Sequence, residues 1–177
     1  KRAEREEAIR VLEDLLDKQP KALPDDRFIL ARLYLTQGDW ANGSRHMRAL
    51  LASSGNDEKF PLYVSTYIRF LLDRREIGEA ELWLARLEKS DPKSLATAML
   101  RAEAWLHRRQ ADRAVAALKA TLDAPGLTEE DRLTRIGLVA SNLADLSLRS
   151  QAMARTAAQA ASDEKEPPET LAYEEAS

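Results

Sequence analysis

Apolar residues recur along most of this chain at spacings of three and four, the spacing that places side chains on one face of a helix. Four stretches show the pattern best: Ala8-Ile9-Arg10-Val11-Leu12, Gly43-Ser44-Arg45-His46-Met47, Ala80-Glu81-Leu82-Trp83-Leu84 and Ala114-Val115-Ala116-Ala117-Leu118. Each opens on a small residue and carries a large apolar residue four later. Three further on stand Leu15, Leu50 and Leu87, with Thr121 as the exception. The small residues lie 35, 37 and 34 positions apart. A period in that range is the mark of stacked helix pairs, each too small to bury its own apolar face.

An earlier helix precedes three of these stretches. Leu30, Ala31 and Tyr34 form the inner stripe of the first, Tyr67, Ile68 and Leu71 that of the second, and Ala98, Ala102 and Trp105 that of the third. Short turns follow: Gln37-Gly38-Asp39, Arg74-Arg75-Glu76 and Arg109-Gln110-Ala111. Connections this short make consecutive helices antiparallel neighbours. The pattern predicts helices over 2–18, 25–37, 40–53, 60–73, 77–90, 94–108, 111–123, 128–146 and 148–161, with no sheet. Tyr34, Trp83 and Trp105 sit on the stripe and read as core.

The register resembles the tetratricopeptide repeat. That motif combines a small residue in the first helix, an aromatic three later, glycine at the turn, a small residue opening the second helix and a terminal proline. Ala31, Tyr34, Gly38, Asp39, Trp40, Gly43 and Met47 match it, as do Pro20 and Pro92 at unit ends. Arg75 and Arg109 depart from it in place of the turn glycine, and Thr121 in place of an apolar residue. The resemblance covers residues 4–125 and implies an all-α right-handed superhelix, a solenoid of helix hairpins. Its parts are a half repeat at 2–20, repeats at about 23–56, 61–93 and 95–126, and a looser pair at 128–161. Residues 163–177 read as an acidic tail or as the start of a further repeat, since Pro168-Glu169-Thr170-Leu171-Ala172-Tyr173 is similar to the opening of a first helix. With residues 2–18 read as a second helix lacking its first, both ends suggest a window from a longer array.

Composition sharpens this picture. Ala, Leu, Arg and Glu dominate, and such side chains lose little freedom in a helix. The chain has no cysteine, which removes disulfides, thiolate metal sites and thiol catalysis. Net charge is −3, and six acids against Lys165 give residues 163–177 a charge of −5, leaving +2 for residues 1–162. A body so near neutral lacks the basic bias of a nucleic-acid groove. No apolar run reaches the roughly 18 residues that span a bilayer, so no membrane insertion is expected. No signal peptide is visible. The sequence leaves the compartment open, with the cytoplasm slightly favoured; an upstream signal, if one was removed, would place the chain in the periplasm or envelope. The sequence does not fix an oligomeric state.

The sequence carries no recognisable catalytic constellation. His46 and His107 belong to no metal motif, and no phosphate loop or nucleophile elbow appears. The chain reads as a non-enzyme without cofactor or metal. The resemblance instead implies a concave surface lined by the first helices, holding a protein or peptide. Carried over position by position, that groove comprises Asp25, Phe28, Arg32, Leu35 and Thr36, then Leu62, Ser65, Arg69, Leu72 and Asp73, then Met99, Glu103, Leu106 and His107. Phe28, Leu35, Leu72 and Leu106 form its expected apolar floor. Arg32 and Arg69 stand at equivalent positions, suited to bidentate contacts with a partner's carboxylates. Against that stands a mixed surface in which Asp25 or Asp73 neutralises them. The asparagines of the family's chaperone-binding clamp have no counterpart, and Glu103 stands where a third cation would help. Two other functions fit a period near 35: a single-stranded RNA reader, which needs a basic groove, and a purely structural spacer in a larger protein.

Overall fold

The computed structural model describes residues 2–18, 23–92, 94–123 and 125–163. It is all-α, with no strand among the described residues. Two compact units divide at Pro125 and Gly126. The first holds α1 (Arg2–Lys18), α2 (Pro24–Gln37), α3 (Trp40–Ser53), α4 (Phe60–Asp73), α5 (Ile77–Ser90), α6 (Leu95–His107) and α7 (Ala111–Leu122). The second holds α8 (Glu129–Asp163).

Helices α2 and α3, α4 and α5, and α6 and α7 pack as three hairpins. The second helix of each hairpin also packs on the first helix of the next, and α1 packs on α2 in the same manner. First helices adjoin one another too. Phe28 of α2 lies 4.8 Å from the ring of Tyr63 on α4, and α4 packs on α6.

The helix boundaries have local causes. Pro24 occupies the first turn of α2, where its missing N–H is no loss, and the Asp26 carboxylate accepts the Leu23 N–H at 3.1 Å. Asp39 caps α3 by accepting the Asn42 N–H at 3.1 Å and its side-chain amide at 2.7 Å. The three hairpin turns share one geometry. Gly38, Arg75 and Arg109 all adopt left-handed backbone, with φ of 86°, 62° and 60°. In each, the following residue's N–H reaches back to the fifth residue before it: Asp39 to Tyr34, Glu76 to Leu71 and Gln110 to Trp105, at 3.0, 2.8 and 2.8 Å. This double-bonded C-terminal cap uses up carbonyls that the helix end would otherwise leave open.

Close approach then sets the hairpin spacing. A Cβ on Gly43 would lie 2.6 Å from the Leu35 side chain, so α2 and α3 meet where no side chain fits. Ala80 and Ala114 hold the same place in the other hairpins and are fully buried. Around these contacts lie Met47, Leu50, Tyr63, Tyr67, Ile68 and Leu84, each at most 1% exposed. Tyr67 is flanked by Trp40 at 6.0 Å and by Trp83 at 6.2 Å, edge-on. Such aromatic pairs each contribute about 0.5–1.5 kcal/mol beyond burial.

Polar joints tie neighbouring hairpins. Glu79 of α5 accepts two bonds from Arg48 of α3, at 2.9 and 2.6 Å, one from Tyr67 at 3.0 Å and one from the Trp83 indole at 3.3 Å. Arg48 above all holds its carboxyl below the usual range. Glu13 of α1 accepts the Tyr34 hydroxyl, and Arg101 of α6 forks onto Glu88 of α5 at 2.7 Å on both oxygens.

The sequence pattern placed two helices at 128–146 and 148–161; the structure has one, α8. Ser147 is a plausible cap, but no turn residue supports it. Residues 129–163 contain no proline, and their only glycine is Gly137. Good helix formers on both sides of Ser147 carry the helix through. At its start, the Thr128 hydroxyl donates to the Asp131 carboxylate at 2.7 Å and accepts the Asp131 N–H at 3.1 Å. The expected tail or further repeat at 164–177 lies outside the described residues.

A side chain in left-handed backbone costs roughly 1–2 kcal/mol, a penalty glycine escapes. Arg75→Gly and Arg109→Gly are therefore expected to stabilise the first unit by about 0.5–1 kcal/mol each, and Gly38→Ala to destabilise it by about 1 kcal/mol. Urea denaturation midpoints check this. Arginine-to-glycine variants that lose stability would show that these turns are held by the side chains instead.

Candidate functional site

The turn geometry fixes the register between hairpins independently of any motif. Counting six residues back from Gly38, Arg75 and Arg109 reaches Arg32, Arg69 and Glu103. These three positions are thus equivalent, as the sequence pattern expected.

Burial divides the predicted groove. Phe28 and Leu35 are 6% and 7% exposed, and Leu72 is fully buried. These residues belong to the core rather than to a surface floor, which corrects the expectation for three of its four apolar members. Leu106 is half-buried, as are Met99, Glu103 and His107. Glu103 and His107 are both engaged with other groups.

Four of the predicted residues come together on α4. Leu62, Ser65, Arg69 and Asp73, with Thr66 and Phe70, line an open depression along that helix. The set follows from helical geometry, since 62, 66, 70 and 73 and 62, 65 and 69 step by three and four. Thr66 and Phe70 were missed because the positions carried over from the motif do not include theirs. Extending the stripe from Leu62 by fours would have found both. The hydroxyls of Ser65 and Thr66 both donate to the Leu62 carbonyl, at 3.0 and 2.9 Å. Leu62 is 53% exposed, a large apolar surface at the end of the stripe. Arg69 is exposed and forms no ion pair among the described residues.

On α2 the picture differs. Arg32 is exposed, with its guanidinium 5.4 Å from the Phe28 ring centre, while the Thr36 hydroxyl donates to the Arg32 carbonyl at 2.7 Å. Asp25 does not neutralise Arg32. It pairs with Lys59 and accepts the Tyr63 hydroxyl at 2.6 Å, and these bonds hold its carboxyl below the usual range. Asp25 is thus a structural tie between α2 and α4.

His46, which belongs to no metal motif, is half-buried on α3 and stacked on Tyr34 at 5.8 Å. Both ring nitrogens are enclosed without a hydrogen-bond partner. Leaving such atoms unpaired is costly, and a proton on the ring costs more. Burial, with Arg45 and Arg27 nearby, pushes its pKa below the ordinary value, against a smaller opposing pull from Glu13. Among the described residues no cluster of three or more His, Cys, Asp or Glu is placed to hold a metal ion. No helix among them is long and apolar enough to cross a membrane.

The sign of the His46 effect follows from its lowered pKa. The unfolded chain takes up the proton first, so this contribution to stability is complete above the ordinary histidine value. It falls as pH drops from there through the lower folded-state value. Wild type should therefore lose more thermal stability between pH 7.5 and 5.5 than His46→Phe. Equal losses would show that His46 does not govern this range.

No protein-family model matches the chain, and neither a curated protein nor a solved structure does.

Proposed function

We propose that the chain is a non-catalytic protein-interaction scaffold, a right-handed superhelix of tetratricopeptide-like hairpins that binds a partner peptide along its first helices. The observation that carries this reading is the α4 stripe. It presents an exposed leucine, Leu62, and an exposed arginine, Arg69, that has no ion pair among the described residues, seven positions apart on one helical face. Two helical turns separate them, about 10 Å, which a few residues of extended peptide or two turns of a docked helix span. The fitting ligand carries an apolar anchor for Leu62 and Phe70 and an acid for Arg69. Arg32, one hairpin earlier at the equivalent position, offers a second contact for an acidic partner.

Support also comes from contacts between first helices, the Phe28 ring of α2 on Tyr63 of α4 and the packing of α4 on α6. A mixed-charge, partly apolar face of this kind suits peptide recognition better than RNA. Single-stranded RNA requires a run of cations and bases stacked on exposed aromatics. Here the position equivalent to Arg32 and Arg69 in the third hairpin is Glu103.

A synthetic peptide of residues 163–177, acidic and bearing Leu171 and Tyr173, serves as a surrogate ligand. Its affinity should be modest, because a free peptide loses chain entropy on docking. Arg69→Ala should weaken it by about 1 kcal/mol, roughly fivefold, at low salt, and by less at high salt where exposed charges are screened. Fluorescence anisotropy at two ionic strengths checks this. Equal binding by wild type and by the Arg32→Ala, Arg69→Ala double variant at both salts would make the arginine pair irrelevant. Tighter binding of single-stranded RNA than of peptide would overturn the reading.

A further inference from the structure

Residues at i, i+3 and i+7 from the small residue of each second helix share one face, and in α3 and α5 that face meets the first helix of the same hairpin. In α3 these are Gly43, His46 and Leu50: Gly43 meets Leu35 of α2, His46 stacks on Tyr34, and Leu50 is 1% exposed. In α5 they are Ala80, Trp83 and Leu87; Ala80 and Leu87 are 0% and 2% exposed, and Trp83 meets Tyr67 of α4. In α7, Ala114 is fully buried and Ala117 half-buried. The corresponding residues of α1 are Ala8, Val11 and Leu15. Val11 is 59% exposed, and Ala8 and Leu15 are only half-buried. Leu12 is also half-buried, whereas Met47, Leu84 and Leu118 at its position are fully buried.

The adjacent side of α1 is already in use. Ile9, Leu12 and Leu16 pack with Leu30, Leu33 and Tyr34 of α2, and Glu13 accepts the Tyr34 hydroxyl. So α1 is held in the place of a second helix while the face that a second helix turns to its own partner stands open.

We propose that the Ala8–Val11–Leu15 face of α1 is a docking surface for one further amphipathic helix, of the pattern that α2, α4 and α6 share, supplied from outside residues 1–177. The three hairpins state the chemistry of the occupant. It carries an apolar stripe at helical spacing, ends in a tight turn with left-handed backbone, and lies antiparallel to α1. The docking face is continuous with the α1–α2 interface, so the newcomer extends the existing core. A second copy of this chain is a poor occupant. Its α2 and α4 already have their inner stripes buried in their own hairpins, so neither offers the helix of this pattern that the face requires. The inference is independent of the α4 stripe.

The test supplies the pattern from the chain itself. Residues 94–109, which are α6 with its turn, are fused ahead of Glu4, the position equivalent to Gln110 after the α6 turn. Ala8 then meets the copied helix as Ala114 meets α6. The fused chain should melt about 5 °C higher or more, and α1 amides should exchange at least about tenfold more slowly. Val11→Asp should abolish both gains while leaving the unfused chain nearly unchanged, since Val11 is exposed there. As a second measurement, the same segment is added as a free peptide to the unmodified chain. It should slow α1 exchange in wild type and not in Val11→Asp. Unprotected α1 in both formats, or an equal Val11→Asp loss with and without the added helix, overturns the proposal. A dimer seen by sedimentation and dissociated by Val11→Asp assigns the face to a second copy and overturns it too.

Discussion

The structure of the first unit depends on how closely two helices approach at one small residue per hairpin. A helix pair can bury its apolar stripe only if the axes come near enough for side chains to interlock. At Gly43 that approach leaves no room for a Cβ beside Leu35, and at Ala80 and Ala114 a methyl group fills the gap completely. The rest follows from this contact. Once the axes are fixed, Met47 and Leu84, four residues on, are driven into the core, and Leu118 at the same position of α7 is fully buried. The turn must then reverse the chain within two residues, which demands the left-handed backbone of Gly38, Arg75 and Arg109. A bulkier residue at the contact would spread the helices, and the double-bonded turn would no longer reach.

This explains why the architecture was legible in the sequence. The periodic placement of Gly43, Ala80 and Ala114 encodes the close approaches, and seven of the eight helices coincide with the predicted spans to within one residue at either end. Arg75 and Arg109 looked like departures from the expected turn. The structure shows that they adopt the glycine conformation regardless, because the carbonyls of the helix end are satisfied only if they do. Tertiary constraint overrode local preference there. The one failure, α8, arose where such constraints are absent from the sequence: Ser147 suggested a break, but no small-residue contact or turn residue required one.

The site was less legible, for a physical reason. A motif position identifies the face of a helix but not how much of that face its neighbours cover. Leu72 and Leu35 lie at the edge between the inner and outer faces, and close packing draws them wholly inside. Leu62 and Phe70, at the open side of α4, keep apolar surface that the motif gave no cause to rank above Leu72. Only the packing of α4 against its neighbours separates these leucines, and packing is a property of several helices at once.

Charge is partitioned by the same geometry. The acids that lie between hairpins are consumed by the fold: Asp25 by Lys59 and Tyr63, Glu79 by Arg48, Tyr67 and Trp83, Glu88 by Arg101. Each such carboxylate sits at a seam, where it satisfies donors that burial would otherwise leave unpaired, and one acceptor oxygen can serve more than one of them. A guanidinium at a seam needs a carboxylate opposite it, as Arg48 and Arg101 have. Arg32 and Arg69 are exposed on their helices, and neither forms an ion pair among the described residues. Each of these seam acids is matched by a cation, Lys59, Arg48 or Arg101, so the joints are close to neutral and leave the exposed charges of Arg32 and Arg69 unchanged. A helix face can present cations to a partner in a chain whose net charge is negative, provided charge is unevenly distributed among its faces.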